Sequence, residues 1–203
     1  MLIGLVTDSM DWHARQLIAA LCARGVETVP VQLSACGMAT ASASGLHMDG
    51  FGKTLPDAVV VRTMSGGTFE AVTLRLGVLH ALRELGVTVW NDARAIERCV
   101  DKSMTSFLLA RAGIPTPETW ATESYEQAHA IAERETMEGP LVLKPLFGSQ
   151  GRGLKLVHKP DDLPTTEETP GGVYYLQHFI GVKRRGGYHD FRILVVQGRI
   201  VAA

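Results

Sequence analysis

A lysine placed directly before a run of glycines can meet phosphate, and this chain has one. Lys144 closes the apolar run Leu141 to Leu143. Glycines Gly148, Gly151 and Gly153 follow, and then a second apolar run, Leu154 to Val157. An ammonium acts as a point charge towards phosphate oxygens. Glycines let backbone amides approach anions with no Cβ in the way. Two short strands around a glycine-rich tip read as a β-hairpin. That excludes a Walker loop, which needs G-x-x-x-x-G-K-[ST] opening a helix, because Leu154 follows Gly153 here. It also excludes the dinucleotide fingerprint G-x-G-x-x-G, since the spacing is G-x-x-G-x-G before another strand. What remains is a hairpin flap suited to covering nucleotide phosphates. The plainer alternative for Lys144 is a strand-end lysine snorkelling to solvent.

Other charged residues stand out by position. Lys102 lies in the first turn of an expected helix, where the macrodipole disfavours a cation; that mismatch points to a nearby anion, against a solvated helix-start lysine. Arg62 ends an expected strand, where ligands of parallel α/β sheets bind. Asp190 and Arg192 alternate on one face of a strand, with Phe191 on the other. Such a pair can be a cross-strand ion pair worth under about 1 kcal/mol. Lys183, Arg184 and Arg185 read as a solvated loop.

The elements that must position these residues fall into two parts. In the first, strands Leu2 to Val6, Val26 to Leu33, Ala58 to Val61 and Val87 to Trp90 alternate with helices. Asp11 caps the first helix, whose apolar positions Ala14, Leu17, Ile18, Leu21 and Cys22 follow helical spacing. Thr68 caps the next, carrying Phe69, Val72, Leu76, Leu79 and Leu82. Pro30 marks an edge strand. Residues 34–54 read as a loop or weakly ordered crossover. This alternation implies a parallel sheet covered on both faces. The second part begins with helices near Ala93 and after Asp101, then an extended linker at Pro115 and Pro117. An S-x-x-Q capping box, Ser124 with Gln127, opens a further helix. The glycine hairpin follows, then a polar surface loop, Lys159 to Gly172. Strands Tyr174 to Ile180 and Phe191 to Val196 close the chain.

Composition sets the bounds. The chain has 203 residues, 46% of them hydrophobic, enough for one large or two small domains. A formal net charge of -1 gives no global basic field for nucleic acid. Cys22, Cys36 and Cys99 lack metal-ligand spacing and favour a reducing cytoplasm; Cys22 reads as a packing residue. The first apolar run is interrupted by Asp8 and Asp11, so no signal peptide is expected in it. No segment is long and apolar enough to span a bilayer.

Eight short motifs occur in order: Asn91-Asp92, Ala95-Ile96, Asp101-Lys102, Gly113-Ile114-Pro115-Thr116-Pro117, Leu143-Lys144-Pro145, Gly148-Ser149-Gln150-Gly151-Arg152-Gly153, Gln177-His178-Phe179-Ile180 and Asp190-Phe191-Arg192. Together they resemble the ATP-grasp fold, and within it the RimK-type carboxylate–amine ligases. The wording Lys-Pro-Leu-Phe-Gly-Ser is similar to glutamate ligases that extend pterin and deazaflavin cofactors. The resemblance implies an α/β protein: an N-terminal parallel-sheet (pre-ATP-grasp) domain, 1–98, then an ATP-grasp domain. The latter divides into a central subdomain, 99–176, and the start of a C-terminal subdomain, 177–203. It implies ATP and Mg²⁺ as cofactors, a small-molecule carboxylate acceptor and an amino acid as substrates, and a cytoplasmic homo-oligomer. It assigns Lys102 and Lys144 to the phosphates and Gly148, Ser149, Gln150, Gly151 and Gly153 to the flap, with Gln150 and Arg152 facing solvent between turnovers. Gln177, His178, Phe179 and Ile180 become the adenine-binding hinge, although His178 replaces the more usual acidic residue. Asp190 falls near the ribose, Arg192 near the transferring phosphoryl or acceptor carboxylate, and Arg62 near the acceptor. Turnover would make an amide through an acyl phosphate; the alternatives are an ATP-grasp kinase and a nucleotide-binding module without turnover.

One departure stands against that pattern. The family's Asp and Glu-x-Asn metal ligands have no counterpart here, so no metal ligand is expected within this chain. The expectation is an ATP-grasp domain truncated at its C-terminal end: a fragment of a longer enzyme, or a shortened protein that binds nucleotide poorly.

Overall fold

Leu2–Val6 forms β1, an apolar run with four of its five residues buried. It is an inner strand of a parallel sheet, pairing on one side with β2 (Glu27–Val31) and on the other with β5 (Ala58–Val61). The latter pairs with β6 (Thr88–Trp90), giving the order β2-β1-β5-β6. Pro30, which has no N–H to donate, sits on edge strand β2 as expected. The structure is a computed structural model and describes residues 1–148, 151, 153–181 and 191–203. These divide into two compact units, the first Met1–Ala112 with Phe147, Gly148 and Gly151, the second comprising the rest.

In the first unit, α1 (Trp12–Cys22) is capped by Asp11, whose Oδ1 accepts from the Ala14 N–H at 2.8 Å. Thr68 caps α2 (Phe69–Glu84), which buries Val72, Val78, Leu79 and Leu82. Helices α3 (Ala93–Val100) and α4 (Lys102–Arg111) follow. Two expectations need correction. Cys22 is exposed, and Ala14 is the only buried residue of α1, because most of its apolar stripe is not covered by the sheet. Residues 34–54 are not a loose crossover. They hold a small antiparallel pair, β3 (Gly37–Met38) with β4 (Leu46–His47). Leu46, Met48 and Phe51 plug the same core as Val31, Val59 and Leu79. Burying each such side chain contributes about 1.5–3 kcal/mol, enough to order a stretch with no periodicity.

The second unit is a four-stranded antiparallel sheet in the order β7-β10-β8-β9. Its strands are β7 (Thr119–Thr122), β8 (Leu141–Lys144), β9 (Lys155–Val157) and β10 (Tyr174–His178). The glycine segment joins β8 to β9 as the expected hairpin. Strand β7, for which the sequence carries no expectation, follows the Pro115 and Pro117 linker, and its presence makes β10 an inner strand. Helix α5 (Tyr125–Glu135) covers one face. Its Ala128 and Ala132 pack with Leu141, Leu143, Val157, Tyr174 and Leu176. Only half of the expected capping box forms. Ser124 Oγ accepts from the Gln127 N–H at 3.2 Å, but Gln127 Oε1 accepts from Thr122 Oγ1 at 2.6 Å instead of reaching back to the Ser124 N–H. Lys159 to Gly172 is not all surface, since Leu163 and Thr169 are buried. The last strands, β11 (Leu194–Val196) and β12 (Arg199–Ala202), form an exposed hairpin. Among the described residues no helix is long and apolar enough to cross a membrane.

Candidate functional site

Alternation along β8 and β10 sorts their side chains onto two faces. Leu141, Leu143, Tyr174 and Leu176 face α5. Val142, Lys144, Tyr175 and Gln177 project the other way, in the register Tyr175 to Lys144, Gln177 to Val142 and Gln177 to Thr119. Lys144 Nζ donates to Gln177 Oε1 at 2.6 Å. Gln177 Nε2 donates to Thr119 Oγ1 at 2.9 Å and to the Tyr175 hydroxyl at 3.4 Å. Burial lowers the Lys144 pKa from its usual value. Its oriented partner is neutral, and among the described residues no carboxylate pairs with it. Among the described residues the Lys144 charge is thus not neutralised by an ion pair. Gly153 holds the hairpin's far side at φ +73°, and a Cβ there would lie 2.9 Å from Pro145 Cγ.

The end of β10 is more occupied than its sequence suggests. The His178 N–H donates to the Glu118 carbonyl and the Phe179 N–H to the Pro140 carbonyl, each at 3.0 Å. The next residue, Ile180, is 71% exposed. The His178 side chain lies on the α5 face, away from Lys144. Its Nε2 is 3.1 Å from Glu135 Oε2, and its ring meets Trp120 edge-on with centroids 5.3 Å apart. Burial raises the Glu135 pKa, but hydrogen bonds and charges from Arg134 and His178 outweigh this and leave it below the usual value. Glu118, Glu135 and His178 offer ligand atoms all within 4.8 Å of one another. Sequence reading missed this set because its members lie far apart in the chain, and it missed Thr119 because it missed β7.

In the first unit, Lys102 is the first residue of α4. Asp101 caps that helix, its Oδ1 accepting from the Ser103 N–H at 2.8 Å and the Met104 N–H at 3.2 Å. Lys102 Nζ donates to the Gly148 carbonyl at 2.9 Å, so a carbonyl dipole and the capping carboxylate offset the unfavourable helix dipole. Gly148 adopts φ +143° and Gly151 φ +69°. A cleft of about 250 Å³ opens between the segment Met64 to Gly67, Val100, Phe147 and Gly148. Arg75, not singled out by sequence, clamps that segment by donating to the Ser65 carbonyl at 2.7 Å and the Gly66 carbonyl at 2.9 Å. Arg62 directly follows β5 and pairs with Asp11 at 2.7 Å, tying the strand end to the cap of α1. The Asp11 pKa is lowered, first by the Ala14 N–H and further by Arg62 and His13 against the opposing effect of burial.

The structure thus brings Lys144 to Gln177 and Lys102 to Gly148. Arg192 is exposed ahead of β11 and forms no ion pair among the described residues. Ser149, Gln150, Arg152, Lys183, Arg184, Arg185 and Asp190 lie outside the described residues.

Comparison with known proteins adds independent findings. Residues 1–96 match the RimK PreATP-grasp domain, and residues 99–203 the RimK-like ATP-grasp domain. A tetrahydromethanopterin:alpha-L-glutamate ligase of Methanosarcina acetivorans is 34% identical across 99% of this chain and 66% of its own length. A probable alpha-L-glutamate ligase of Teredinibacter turnerae is 32% identical, over 95% of this chain and 62% of its own. The crystal structure of a RimK domain ATP-grasp protein from Sphaerobacter thermophilus aligns with TM-score 0.63 and 28% identity, covering 89% of this chain and 64% of that one. The chain therefore spans somewhat under two thirds of the length of these proteins.

Proposed function

The chain belongs to the RimK-like ATP-grasp family, and from that premise we propose that it acts as an ATP-dependent carboxylate–amine ligase. ATP phosphorylates an acceptor carboxylate. An amine then attacks the acyl phosphate, giving an amide, ADP and phosphate. The similarity to glutamate ligases favours glutamate as the amine. No protein nucleophile is needed, so catalysis rests on positioning, charge neutralisation and exclusion of water.

Each residue has a physical task in this reading. Lys144 meets the α- and β-phosphates, and Lys102 is a second phosphate lysine. The glycine hairpin, with Gly148, Gly151 and Gly153, covers the phosphates and keeps water out. Ile180 donates its N–H to the adenine edge, and Gln177 stands ready to reach the exocyclic amine. Arg192 supplies a guanidinium fork for the phosphoryl group or the acceptor carboxylate. The cleft beside Met64 to Gly67 takes the acceptor, and Arg62, two residues before that segment, is assigned to the acceptor's carboxylate. Residues 1–98 then serve as substrate domain, 99–176 and 177–203 as grasp subdomains. Magnesium would supply charge compensation between the phosphates when bound. The described residues of the Lys144 face carry no set of three ligands for it, and the chemistry assigned above is that of the lysines, the amides and the flap.

The observation that carries this reading is the placement of Lys144. It sits half-buried on the face of the sheet opposite α5, directly before the glycine hairpin, oriented by neutral Gln177. ADP release measured with ATP and a panel of carboxylates, with and without glutamate, tests it. Amine-dependent release with an amide product by mass spectrometry is the expected result. Release with a phosphorylated hydroxyl compound and no amine requirement would indicate a kinase instead. Binding without release would indicate a nucleotide module.

A further inference from the structure

The α5 face of the second unit carries a cluster with no task in the ligase reading. Three elements build it. His178 ends β10, and the register pairing Gln177 with Thr119 sets Glu118 beside it, their backbones joined by the His178 N–H to Glu118 carbonyl bond of 3.0 Å. Glu135 is the last residue of α5. We propose that Glu118, Glu135 and His178 form a transition-metal site, with one imidazole and two carboxylate ligands, that takes Zn²⁺ and pins α5 to the end of β10.

The geometry fits with little movement. Zinc bonds nitrogen and oxygen at about 2.0–2.2 Å in a tetrahedron, which sets neighbouring ligand atoms about 3.3 Å apart. His178 Nε2 and Glu135 Oε2 already stand 3.1 Å apart. Glu118 Oε lies within 4.8 Å of both and is exposed, so a side-chain rotation closes the set. The surroundings hold the ligands as outer-shell partners do. Arg134 Nε donates to Glu135 Oε1 at 2.6 Å, which leaves Oε2 directed at the imidazole. A T-shaped contact with Trp120 orients the His178 ring. Two carboxylates against one guanidinium leave a net negative site for a cation.

The donor set also selects the metal. An imidazole with carboxylates suits Zn²⁺ and its first-row neighbours, whereas Mg²⁺ demands near-octahedral oxygen. Three protein ligands leave the fourth position to water. The site lies across the sheet from Lys144, because His178 and Gln177 point to opposite faces. It is therefore separate from any metal that accompanies nucleotide phosphates. The competing explanation is a plain His178–Glu135 hydrogen bond, and Glu118 separates the two, since that pair does not need it.

The test uses the whole chain, stripped with chelator and held in excess Mg²⁺. Zn²⁺ is titrated by calorimetry, and Co²⁺ is used as the spectroscopic probe of a tetrahedral nitrogen–oxygen site. One equivalent should bind and raise the melting temperature. Glu118→Gln should weaken affinity by about 10–100-fold without changing the chelated protein's melting temperature, and His178→Gln should remove the Co²⁺ spectrum. Absence of a saturable equivalent overturns the proposal. So does unchanged affinity in Glu118→Gln, which would mean a plain His178–Glu135 pair with zinc held elsewhere, for example on a surface cysteine.

Discussion

Replacing Lys144 by methionine should separate binding from folding. Two effects oppose each other in the free protein. The substitution removes the bond from Nζ to Gln177 Oε1 at 2.6 Å, and hydrogen bonds to charged groups contribute about 1.5–3 kcal/mol. It also releases the cost of holding an ammonium in a half-buried place, where burial already lowers its pKa. Methionine refills the space with an unbranched chain, and Gln177 Nε2 keeps Thr119 and Tyr175. The net loss of stability should stay below about 1.5 kcal/mol, the lower end of that range. Nucleotide has no such compensation. Loss of one charged hydrogen bond at about 1.5–3 kcal/mol weakens affinity roughly 10–150-fold at about 1.4 kcal/mol per tenfold. The control is Lys155→Met, because Lys155 pairs with Leu143 in register and so lies on the opposite face, exposed. Surface changes of this kind stay within about 0.5 kcal/mol, or roughly twofold. Displacement of a fluorescent ATP analogue gives the affinities, and urea unfolding gives the stabilities. Equal weakening in both variants would refute the assignment of the hairpin, and so would a Lys144→Met protein that binds ATP normally.

Four further outcomes are expected. Gly153→Ala places a Cβ 2.9 Å from Pro145 Cγ at φ +73°; left-handed backbone costs an ordinary residue about 1–2 kcal/mol, so urea unfolding should show a loss of that size and ATP affinity should fall with it. Because the folded pKa of Lys144 is depressed, its ammonium is lost as pH rises, starting below the usual 10.5; ATP affinity should decline over that alkaline range in the wild type and stay flat there in Lys144→Met. Ile180→Pro removes the one N–H assigned to adenine on an exposed residue, so it should weaken ATP more than inorganic triphosphate; equal loss for both ligands would contradict the hinge. Thr28 Oγ1 is buried without a hydrogen-bond partner, and an unsatisfied group costs about 1–3 kcal/mol, so Thr28→Val should raise the urea midpoint.

Legibility in the sequence followed the strength of local signals. The spans Leu2 to Val6 and Ala58 to Val61 were readable because continuous apolar runs end at polar residues, and the structure keeps those bounds. Asp11, Thr68 and Ser124 were readable as caps because a short polar side chain before an apolar periodic run has few other uses. The glycine hairpin was readable because Lys144 and Leu154 flank its glycines. Strand β7 was not, since Thr119-Trp120-Ala121-Thr122 is short and follows two prolines. It exists because β10 offers it a ladder. Nor could helical spacing in α1 reveal how little of that stripe the sheet would cover. Signals that depend on a distant partner are invisible in one chain read alone, and this is why Glu118 and Thr119 escaped notice while Gln177 and His178 did not.

The same distance dependence explains what holds the site together. Lys144 meets Gln177 only because β10 lies in one register against β8, and that register is set by residues with no chemistry of their own. Leu176 sits between Leu143 and Trp120 on the α5 face, and Tyr174 fills the same core fully buried. Because side chains alternate with period two, a slip of one residue would exchange the faces of the whole strand. Tyr174 and Leu176 would leave the core, at about 1.5–3 kcal/mol for a side chain of leucine size, and Gln177 would turn towards Ala128 and Ala132. His178 would turn towards Lys144 and abandon Glu135. A single strand therefore serves two faces, with Gln177 assigned to the nucleotide side and His178 to the helix side. The apolar parity of Tyr174 and Leu176 keeps them apart. Leu176→Ala should show this. The cavity costs about 2–5 kcal/mol in stability, and in the protein that remains folded both ATP and Zn²⁺ affinity should decline together. Loss of one without the other would mean that the two faces are not coupled through the strand's register.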